Sequence, residues 1–215
     1  MSEPAARLMD RMYRYQRYIY DFTRKPYLLG RDRMLAGLNP PVGGTILEIG
    51  CGTGRNLIRA AQIYPQTRLY GFDVAAVMLE TASQNIARRG LAGRIRLAKA
   101  DAVQFDPLSL FGVRQFDRIY ISYALSMIPD WQNVLKQALP CLAPGGSLHV
   151  VDFGEQGQLP GWFASPLRKW LAMFDVYPRA ELVPFARDLA QAHACSFLVQ
   201  NPLRGYAVLA QLKRM

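Results

Sequence analysis

A turn with three glycines follows a short apolar run in ILEIGCGTGRNL, where Gly50, Gly52 and Gly54 alternate with other residues. Glycine is needed where a turn takes positive φ or where a ligand approaches the main chain closely. The spacing G-x-G-x-G differs from the G-x-G-x-x-G pattern of dinucleotide sites, because position 55 is arginine. Glu48 precedes the turn, and a carboxylate there would repel a pyrophosphate and attract a cation. The turn therefore predicts a site for a ligand that carries positive charge.

Two aspartates follow later strand-like runs, Asp73 after RLYGF and Asp101 after RIRLAKA. Asp73 lies 19 residues after Gly54, close to the offset of about 20 residues expected of an acid that binds a ribose one βα unit downstream. A carboxylate can accept two hydrogen bonds from a diol, and the ends of both runs meet at one crevice of a parallel sheet. Taken singly, Asp73 also fits a helix cap and Asp101 a turn residue. Their joint spacing with the glycines favours a ligand site.

Short β-rich runs alternate with helix-like stretches along most of the chain. The helix-like stretches are 55–65 and 75–90, and the β-rich runs are TILEIG, RLYGFDV, RIRLAKAD, FDRIYIS and GSLHVVDFG. This alternation needs crossover connections, so it predicts an α/β fold with a mostly parallel sheet and helices on both faces. A helix from Trp131 to Ala138 is expected to stop at APGG, residues 143–146. The tail from Cys195 predicts an antiparallel hairpin with its turn at 201–205.

The segments EIGCGTG, FDV and KADAVQF together resemble the motifs of class I S-adenosylmethionine-dependent methyltransferases, over residues 45–153. The resemblance implies a Rossmann-like fold with a seven-stranded sheet, and S-adenosylmethionine as the cofactor. It places the glycine turn against the methionine part, Asp73 on the ribose hydroxyls and Asp101 on the adenine amino group. The residues it assigns to cofactor binding are Glu48, Gly50, Cys51, Gly52, Thr53, Gly54, Asp73, Val74, Asp101, Ala102, Ser122 and Tyr123.

The segment SYALSMIPDW is similar to the part of that family at the methyl-transfer end of the pocket. This likeness makes Ser122, Tyr123 and Ala124 candidates for lining the sulfonium. Core packing is the alternative for Tyr123.

The first 33 residues combine an apolar helical stripe with many basic side chains. The stripe, at steps of four and three, is Leu8, Met12, Tyr15, Ile19 and Phe22. Eight basic residues stand against four acids in this segment, an arrangement expected of a helix at an anionic lipid interface. A helix packed on the sheet explains the stripe equally well, but it explains the arginines less well. Tyr13 and Tyr20 share another face and are candidates for orienting a substrate.

This N-terminal segment and the tail NPLRGYAVLAQLKR are similar to the diacylglycerylhomoserine N-methyltransferases of bacterial betaine-lipid synthesis. The resemblance implies transfer of three methyl groups to the amine of a lipid head group. Because aromatic faces stabilise a cation, we expect Tyr13, Tyr20 and Tyr123 to orient this substrate. The insertion PGWFASPLRKWLAMFDVYP is then a lid over acyl chains, with core packing as the alternative. Phospholipid N-methyltransferases share the cofactor half and stay an alternative, as does a quinone precursor as the acceptor.

Two other classes of function are weaker. The net charge of +10 would suit a nucleic-acid methyltransferase, but SYALSMIP lacks the Asn/Asp-Pro-Pro-aromatic pattern of base-amino methylation sites. A nucleotide-binding module without catalysis would leave the aromatic and basic N-terminal segment unexplained. The expected partners are therefore a lipid head group and an anionic membrane surface, with no nucleic acid.

Length and composition predict a single domain over all 215 residues, 51% of them hydrophobic. Its expected parts are an N-terminal substrate or membrane segment, 1–36, a cofactor-binding core, 45–153, a lid insertion and helix, 154–194, and a hairpin, 195–215. The cysteines are expected to be reduced and to bind no metal, because no metal-ligand spacing joins Cys51, Cys141 and Cys195. No apolar run reaches the roughly 20 residues of a membrane span, so we expect a cytoplasmic protein associated peripherally with the inner face of the membrane.

Overall fold

A computed structural model describes residues 28–154, 165–167, 171 and 176–215. Within these residues, seven strands form one sheet: β1 Thr45–Ile49, β2 Arg68–Asp73, β3 Ile95–Lys99, β4 Phe116–Ser122, β5 Leu142–Phe153, β6 Cys195–Gln200 and β7 Ala207–Arg214. The described helices are α1 Arg31–Ala36, α2 Arg55–Ile63, α3 Ala76–Ala87, α4 Pro107–Phe111, α5 Trp131–Ala138 and α6 Leu182–Ala192.

The strand order is β3-β2-β1-β4-β5-β7-β6, with parallel pairing from β3 through β5. Strand β7 is antiparallel to both β5 and β6, and the turn between β6 and β7 spans Pro202–Gly205. The predicted fold is confirmed, namely a mostly parallel seven-stranded sheet that ends in an antiparallel hairpin. Because β1 lies at the centre, all five of its residues are buried. In β6, at the edge, half-buried residues alternate with exposed ones.

Helices cover both faces of the sheet, as the alternation of runs predicted. Apolar residues of α1, α2 and α3 form one core layer with the sheet. Apolar residues of α4, α5 and α6 form the other layer. Buried residues with helical spacing place each helix, for example Leu57 and Ala61 on α2 and Val134 and Ala138 on α5. Apolar side chains fill both faces, so the polar residues that matter for a ligand lie mainly at the strand ends.

The expectation that APGG ends a helix ahead of the fifth strand is wrong. Helix α5 does end at Ala138, but a 3-10 turn at Leu139–Cys141 ends it, and β5 already begins at Leu142. The residues of APGG belong to a bulge, because Phe116 pairs with Leu142 whereas Arg118 pairs with Ser147. The proline inside the 3-10 turn stops the helix, which leaves the glycines free to form the bulge.

The short segment before α1 packs against the sheet close to the end of β5. Gly30 has φ +87, and a Cβ there would lie 3.2 Å from Leu209 Cδ1. At the far end of α1, the Tyr64 hydroxyl contacts the carbonyls of Leu35 and Ala36 at 2.9 Å. These contacts hold α1 against α2 and bring Arg31 to the edge of the sheet where the glycine turn lies.

No helix in the described ranges is long and apolar enough to cross a membrane. The same ranges hold no group of three or more His, Cys, Asp or Glu side chains arranged to bind a metal ion. The predicted segment 1–36 is described only from residue 28 onward, and most of the predicted lid also lies outside the described residues. The division of the chain into these parts stays a prediction.

Candidate cofactor site

The glycine turn leaves the carboxyl end of β1 and enters α2. The backbone N–H groups of Gly50 and Cys51 both donate to the carbonyl of Phe72 at 3.0 Å, and that of Gly54 donates to the carbonyl of Cys51 at 3.0 Å. All three glycines of the turn have positive φ, with values of +73°, +51° and +76° along the chain. Residues other than glycine take this conformation only at a cost in free energy. The backbone angles therefore explain why glycine stands at all three positions.

Space around the three glycines differs from one to the next. A Cβ at Gly50 would lie 2.9 Å from Ala124 Cβ, and one at Gly54 would lie 3.1 Å from Ala82 Cβ. A Cβ at Gly52 would meet nothing within 4 Å. Two glycines therefore also permit close packing, while Gly52 faces open space at the crest of the turn. A ligand can contact the main chain there.

Asp73 ends β2 and holds the glycine turn in place. Its Oδ2 accepts a hydrogen bond from the Gly52 N–H at 2.8 Å, and its Oδ1 accepts one from the Ala75 N–H at 3.0 Å. Burial raises the pKa of this carboxyl, and the amide donors oppose that rise. The helix-cap interpretation is thus partly right, because Ala75 is the N-cap of α3. A carboxylate has about four acceptor sites, so Asp73 keeps acceptor capacity for a diol.

Glu48 lies beneath the turn in the core, with both oxygens occupied. Asn56 Nδ2 donates to Oε1 at 2.9 Å, and the Tyr120 hydroxyl donates to Oε2 at 3.0 Å. Burial raises the pKa of Glu48 to about 8, and the charge of Asp73 adds to the rise. The described contacts join β1, α2 and β4, so Glu48 has a structural role. Direct cofactor binding by Glu48 stays a prediction.

We expect Glu48 to make the protein less stable as the pH rises from 6.5 to 8.5. The folded state keeps the proton of Glu48 up to about pH 8, whereas the unfolded state releases it near 4.5. The stabilisation is therefore complete below pH 4.5 and is lost as the pH rises through about 8. In Glu48→Gln this loss should vanish, which changes the slope of the free energy of unfolding by up to about 1.4 kcal/mol per pH unit.

Urea unfolding at several pH values between 6.5 and 8.5 measures this slope. The window avoids two other buried groups. Burial lowers the pKa of His149 to about 4 from 6.5, and burial raises the pKa of Asp152 to about 6, so both contribute at lower pH. Equal slopes for the parent protein and Glu48→Gln would contradict a buried, protonated Glu48.

Asp101 follows β3 and forms a tight turn. Its Oδ1 accepts a hydrogen bond from the Val103 N–H at 3.0 Å, and the residue forms a bridge with Gln104. The neighbouring Ala102 is buried. The structure thus brings Asp101 to the strand ends near Asp73, where the sequence predicted it, and also gives it the turn contact. Its part in recognising adenine stays a prediction.

Tyr123 follows β4 in a left-handed conformation, with φ +54°. Its N–H donates to the carbonyl of Val151 at 2.8 Å, and its hydroxyl donates to the carbonyl of Leu29. Its ring packs edge-on against Phe153, with 4.7 Å between centroids, and Phe153 in turn packs against Tyr206 at 6.1 Å. We call Tyr123, Phe153 and Tyr206 the aromatic cluster. It lies at the ends of β4 and β5, so Tyr123 does pack in the core as well as border the site.

Asp152, which the sequence analysis missed, lies beside the aromatic cluster and is buried. Its oxygens accept hydrogen bonds from the N–H groups of Ser126, at 3.1 Å, and Phe153, at 2.8 Å. Burial raises its pKa to about 6, so it is ionised at neutral pH. Two buried hydroxyls, of Ser122 and Ser126, have no hydrogen-bond partner among the residues that the structure describes. The sequence signal that could have identified Asp152 is the acid in VVDFG, at the end of the fifth predicted strand.

Of the other predicted site residues, three lie in the part of the chain that the structure describes and two lie outside it. Cys51 is buried within the turn, where burial raises the pKa of its thiol, and Thr53 accepts a hydrogen bond from Asn85 Nδ2 at 3.1 Å through its carbonyl. Val74 follows Asp73 directly. Tyr13 and Tyr20 lie outside the described residues, so their role in orienting a substrate stays a prediction.

The residues at these strand ends fit S-adenosylmethionine. Gly52 offers open space over the main chain, and Asp73 offers acceptors for a diol at the neighbouring strand end. The half-buried Asp73 and the buried Asp152 create a negative potential that suits a sulfonium cation. A pyrophosphate would be unfavourable in the same place.

Comparisons with known proteins find methyltransferases among the relatives of this chain. Residues 46–146 match the family model described as methyltransferase domain. The demethylmenaquinone methyltransferase of Listeria monocytogenes is 25% identical over 174 residues, which cover 80% of this chain and 68% of that protein. A solved methyltransferase from Aquifex aeolicus, described as SAM dependent, has a TM-score of 0.64 and 16% identity, with 89% of this chain and 93% of that one covered. Geranyl diphosphate methyltransferase in complex with SAM has a TM-score of 0.66 and 16% identity, over 86% and 84% of the two chains.

The match over residues 46–146 identifies a methyltransferase domain, and its sheet has the fold of solved S-adenosylmethionine-dependent methyltransferases, so the chain is a methyltransferase. Its cofactor is S-adenosylmethionine.

Proposed function

We propose that the chain methylates the amine of a lipid head group, and that the head group is diacylglycerylhomoserine, which receives three methyl groups. The observation that carries the proposal is the aromatic cluster beside the buried carboxylate of Asp152. Aromatic faces stabilise cations, including quaternary ones that can no longer donate hydrogen bonds. An acceptor whose nitrogen becomes and stays cationic matches this surrounding better than a neutral hydroxyl does.

The protein mainly has to align the acceptor and exclude water. Bound S-adenosylmethionine supplies an activated methyl group on a sulfonium. The charge of Asp152 would stabilise an amine nitrogen that becomes cationic on methylation. Asp152 acts through its field, since its side chain is buried in the core and out of reach of a ligand. Because a free α-amino group has a pKa of roughly 7.7 to 8.0, part of the amine is neutral and reactive at pH 7 without a strong base.

The lipid part of the proposal comes from charge and from the N-terminal segment. The net charge of +10 favours an anionic surface, and the predicted helix in the first 33 residues has the apolar stripe and basic flank of an interfacial helix. The homoserine head group carries a carboxylate as well as the amine, which suits the excess of arginine. Phosphatidylethanolamine offers the same amine beside a phosphate.

A second candidate is a quinone precursor as the methyl acceptor. The observation in its favour is the likeness to demethylmenaquinone methyltransferases, one of them 25% identical over 80% of this chain. Methylation of a ring carbon needs a group that accepts a proton. The ring acceptor would leave the surplus of basic residues near the N-terminus unexplained.

Incubation with S-adenosylmethionine and defined vesicles tests the proposal. The vesicles contain diacylglycerylhomoserine, phosphatidylethanolamine or demethylmenaquinone, and mass spectrometry counts the methyl groups added. Methylation of diacylglycerylhomoserine to the trimethyl product supports the proposal. Methylation of demethylmenaquinone alone would contradict it and support the second candidate, while methylation of phosphatidylethanolamine alone would retain the lipid amine and reject the head group.

Phe153→Leu should shift the products toward mono- and dimethyl lipid. The substitution keeps an apolar side chain but removes the aromatic face, which is worth about 0.5 to 2 kcal/mol toward a cation. The later methylations act on the more alkylated nitrogen and should slow most. Product ratios are compared at equal fractions of folded protein, and a ratio equal to that of the parent would show that the cluster only packs the core.

A further inference from the structure

Arg31 is the first residue of α1 and lies beside the glycine turn. Only part of its guanidinium has a partner among the described residues. Its Nε donates to the carbonyl of Leu28 at 3.0 Å, which orients the fork. Within the described ranges, its two Nη groups have neither a hydrogen bond nor an ion pair. The adjacent carboxylate, Asp32, is already paired with Arg55 at 2.9 Å. The side chain is half-buried, so its charge is not fully solvated.

Contacts of its chain neighbours place Arg31 beside the site. The Tyr123 hydroxyl donates to the carbonyl of Leu29, and Asp32 pairs with Arg55, the first residue after the glycine turn. Burial lowers the pKa of Arg31, and the nearby charge of Arg55 lowers it further. Asp32 is already paired with Arg55, and the two guanidinium groups repel each other. An anion would relieve the repulsion between them.

S-adenosylmethionine carries one carboxylate, at the end of its methionine part, and its ammonium and sulfonium are cations. The acids Asp73 and Asp152 at the strand ends suit the cationic groups and would repel the carboxylate. We propose that Arg31 binds the cofactor carboxylate through its two Nη groups, while the Asp32–Arg55 ion pair fastens α1 to α2. The inference rests on the cofactor and does not depend on which acceptor is methylated.

Calorimetric titration with two cofactor analogues tests this assignment. S-adenosylhomocysteine contains the carboxylate, whereas 5′-methylthioadenosine keeps the adenosine and the sulfur and lacks the amino-acid part. A charged hydrogen-bonded pair is lost in Arg31→Gln, so affinity for S-adenosylhomocysteine should fall about 10- to 100-fold. Affinity for 5′-methylthioadenosine should stay as in the parent. The exposed Arg59→Gln, on α2, removes the same charge and should change neither affinity.

Two results would overturn the proposal. One is an unchanged affinity of Arg31→Gln for S-adenosylhomocysteine, and the other is an equal loss of affinity for both analogues. If Arg31→Gln does not fold, Arg31→Lys takes its place, because lysine keeps the charge but cannot form a bidentate pair. It should lower the affinity for S-adenosylhomocysteine and leave that for 5′-methylthioadenosine unchanged. No methyl acceptor is present in these titrations, so their outcome is separate from that of the lipid assay.

Discussion

Asp73→Ala is expected to reduce cofactor affinity by two orders of magnitude or more, on the order of 3 kcal/mol. The substitution removes the acceptor for the Gly52 and Ala75 N–H groups, and each buried donor without a partner costs about 1 to 3 kcal/mol. The glycine turn then loses its anchor, and the cofactor also loses its diol acceptor. Asp73→Asn keeps one acceptor oxygen and should lose less. Calorimetric titration with S-adenosylmethionine measures both variants, and thermal unfolding measures the structural part.

Asp106 provides a matched control for this experiment. Its carboxylate also accepts two main-chain N–H groups, from Leu108 at 3.1 Å and Ser109 at 3.2 Å, but it caps the exposed start of α4. Asp106→Ala should lower the stability through loss of the helix cap and leave cofactor affinity unchanged. If Asp73→Ala destabilises the protein and still binds the cofactor as the parent does, Asp73 is only a structural anchor.

Gly52→Ala should lower the affinity for S-adenosylmethionine about 10- to 100-fold, and the variant should still fold. The added methyl group would point into open space in the protein alone, so a loss of affinity reports a ligand over the turn. The strained φ of +51° costs roughly 1 to 2 kcal/mol of stability for a residue other than glycine.

Gly90→Ala is the control that separates the effect of backbone strain from the effect of contact with the cofactor. Gly90 has φ +67° and also has nothing within 4 Å of a built Cβ, but it lies after α3, away from the turn. Gly90→Ala should therefore cost a similar amount of stability and leave the affinity for S-adenosylmethionine unchanged. Binding by Gly52→Ala at the strength of the parent would mean that the cofactor does not lie against this glycine.

The elements of this fold could be predicted from the sequence because their causes are local. The β-rich runs and the helix-like stretches between them follow from side-chain periodicity, and crossover connections force parallel pairing. The glycine turn was predictable for the same reason, since each glycine is needed by its own backbone angle. Asp73 and Asp101 could be placed at one edge because parallel strands end together. The hairpin at the end of the chain was equally local.

The roles of single polar residues were decided by contacts between distant parts of the chain. Glu48 was predicted to face a ligand, yet Tyr120, 72 residues away, and Asn56 occupy its oxygens. The N–H of Ser126, 26 residues away, orients Asp152 in the core. Local periodicity carries no information on such pairs, so Asp152 was missed.

The sequence by itself determined a Rossmann-like sheet with a glycine turn and acids at its carboxyl edge, because backbone angles and strand direction set those features. The tertiary structure alone decided which of those residues also support the fold and which face open space. Gly50 and Gly54 pack against Ala124 and Ala82, which other elements bring close, and Gly52 does not. The same packing brings Arg31 to the turn, because a helix early in the chain docks where β1 and β4 end.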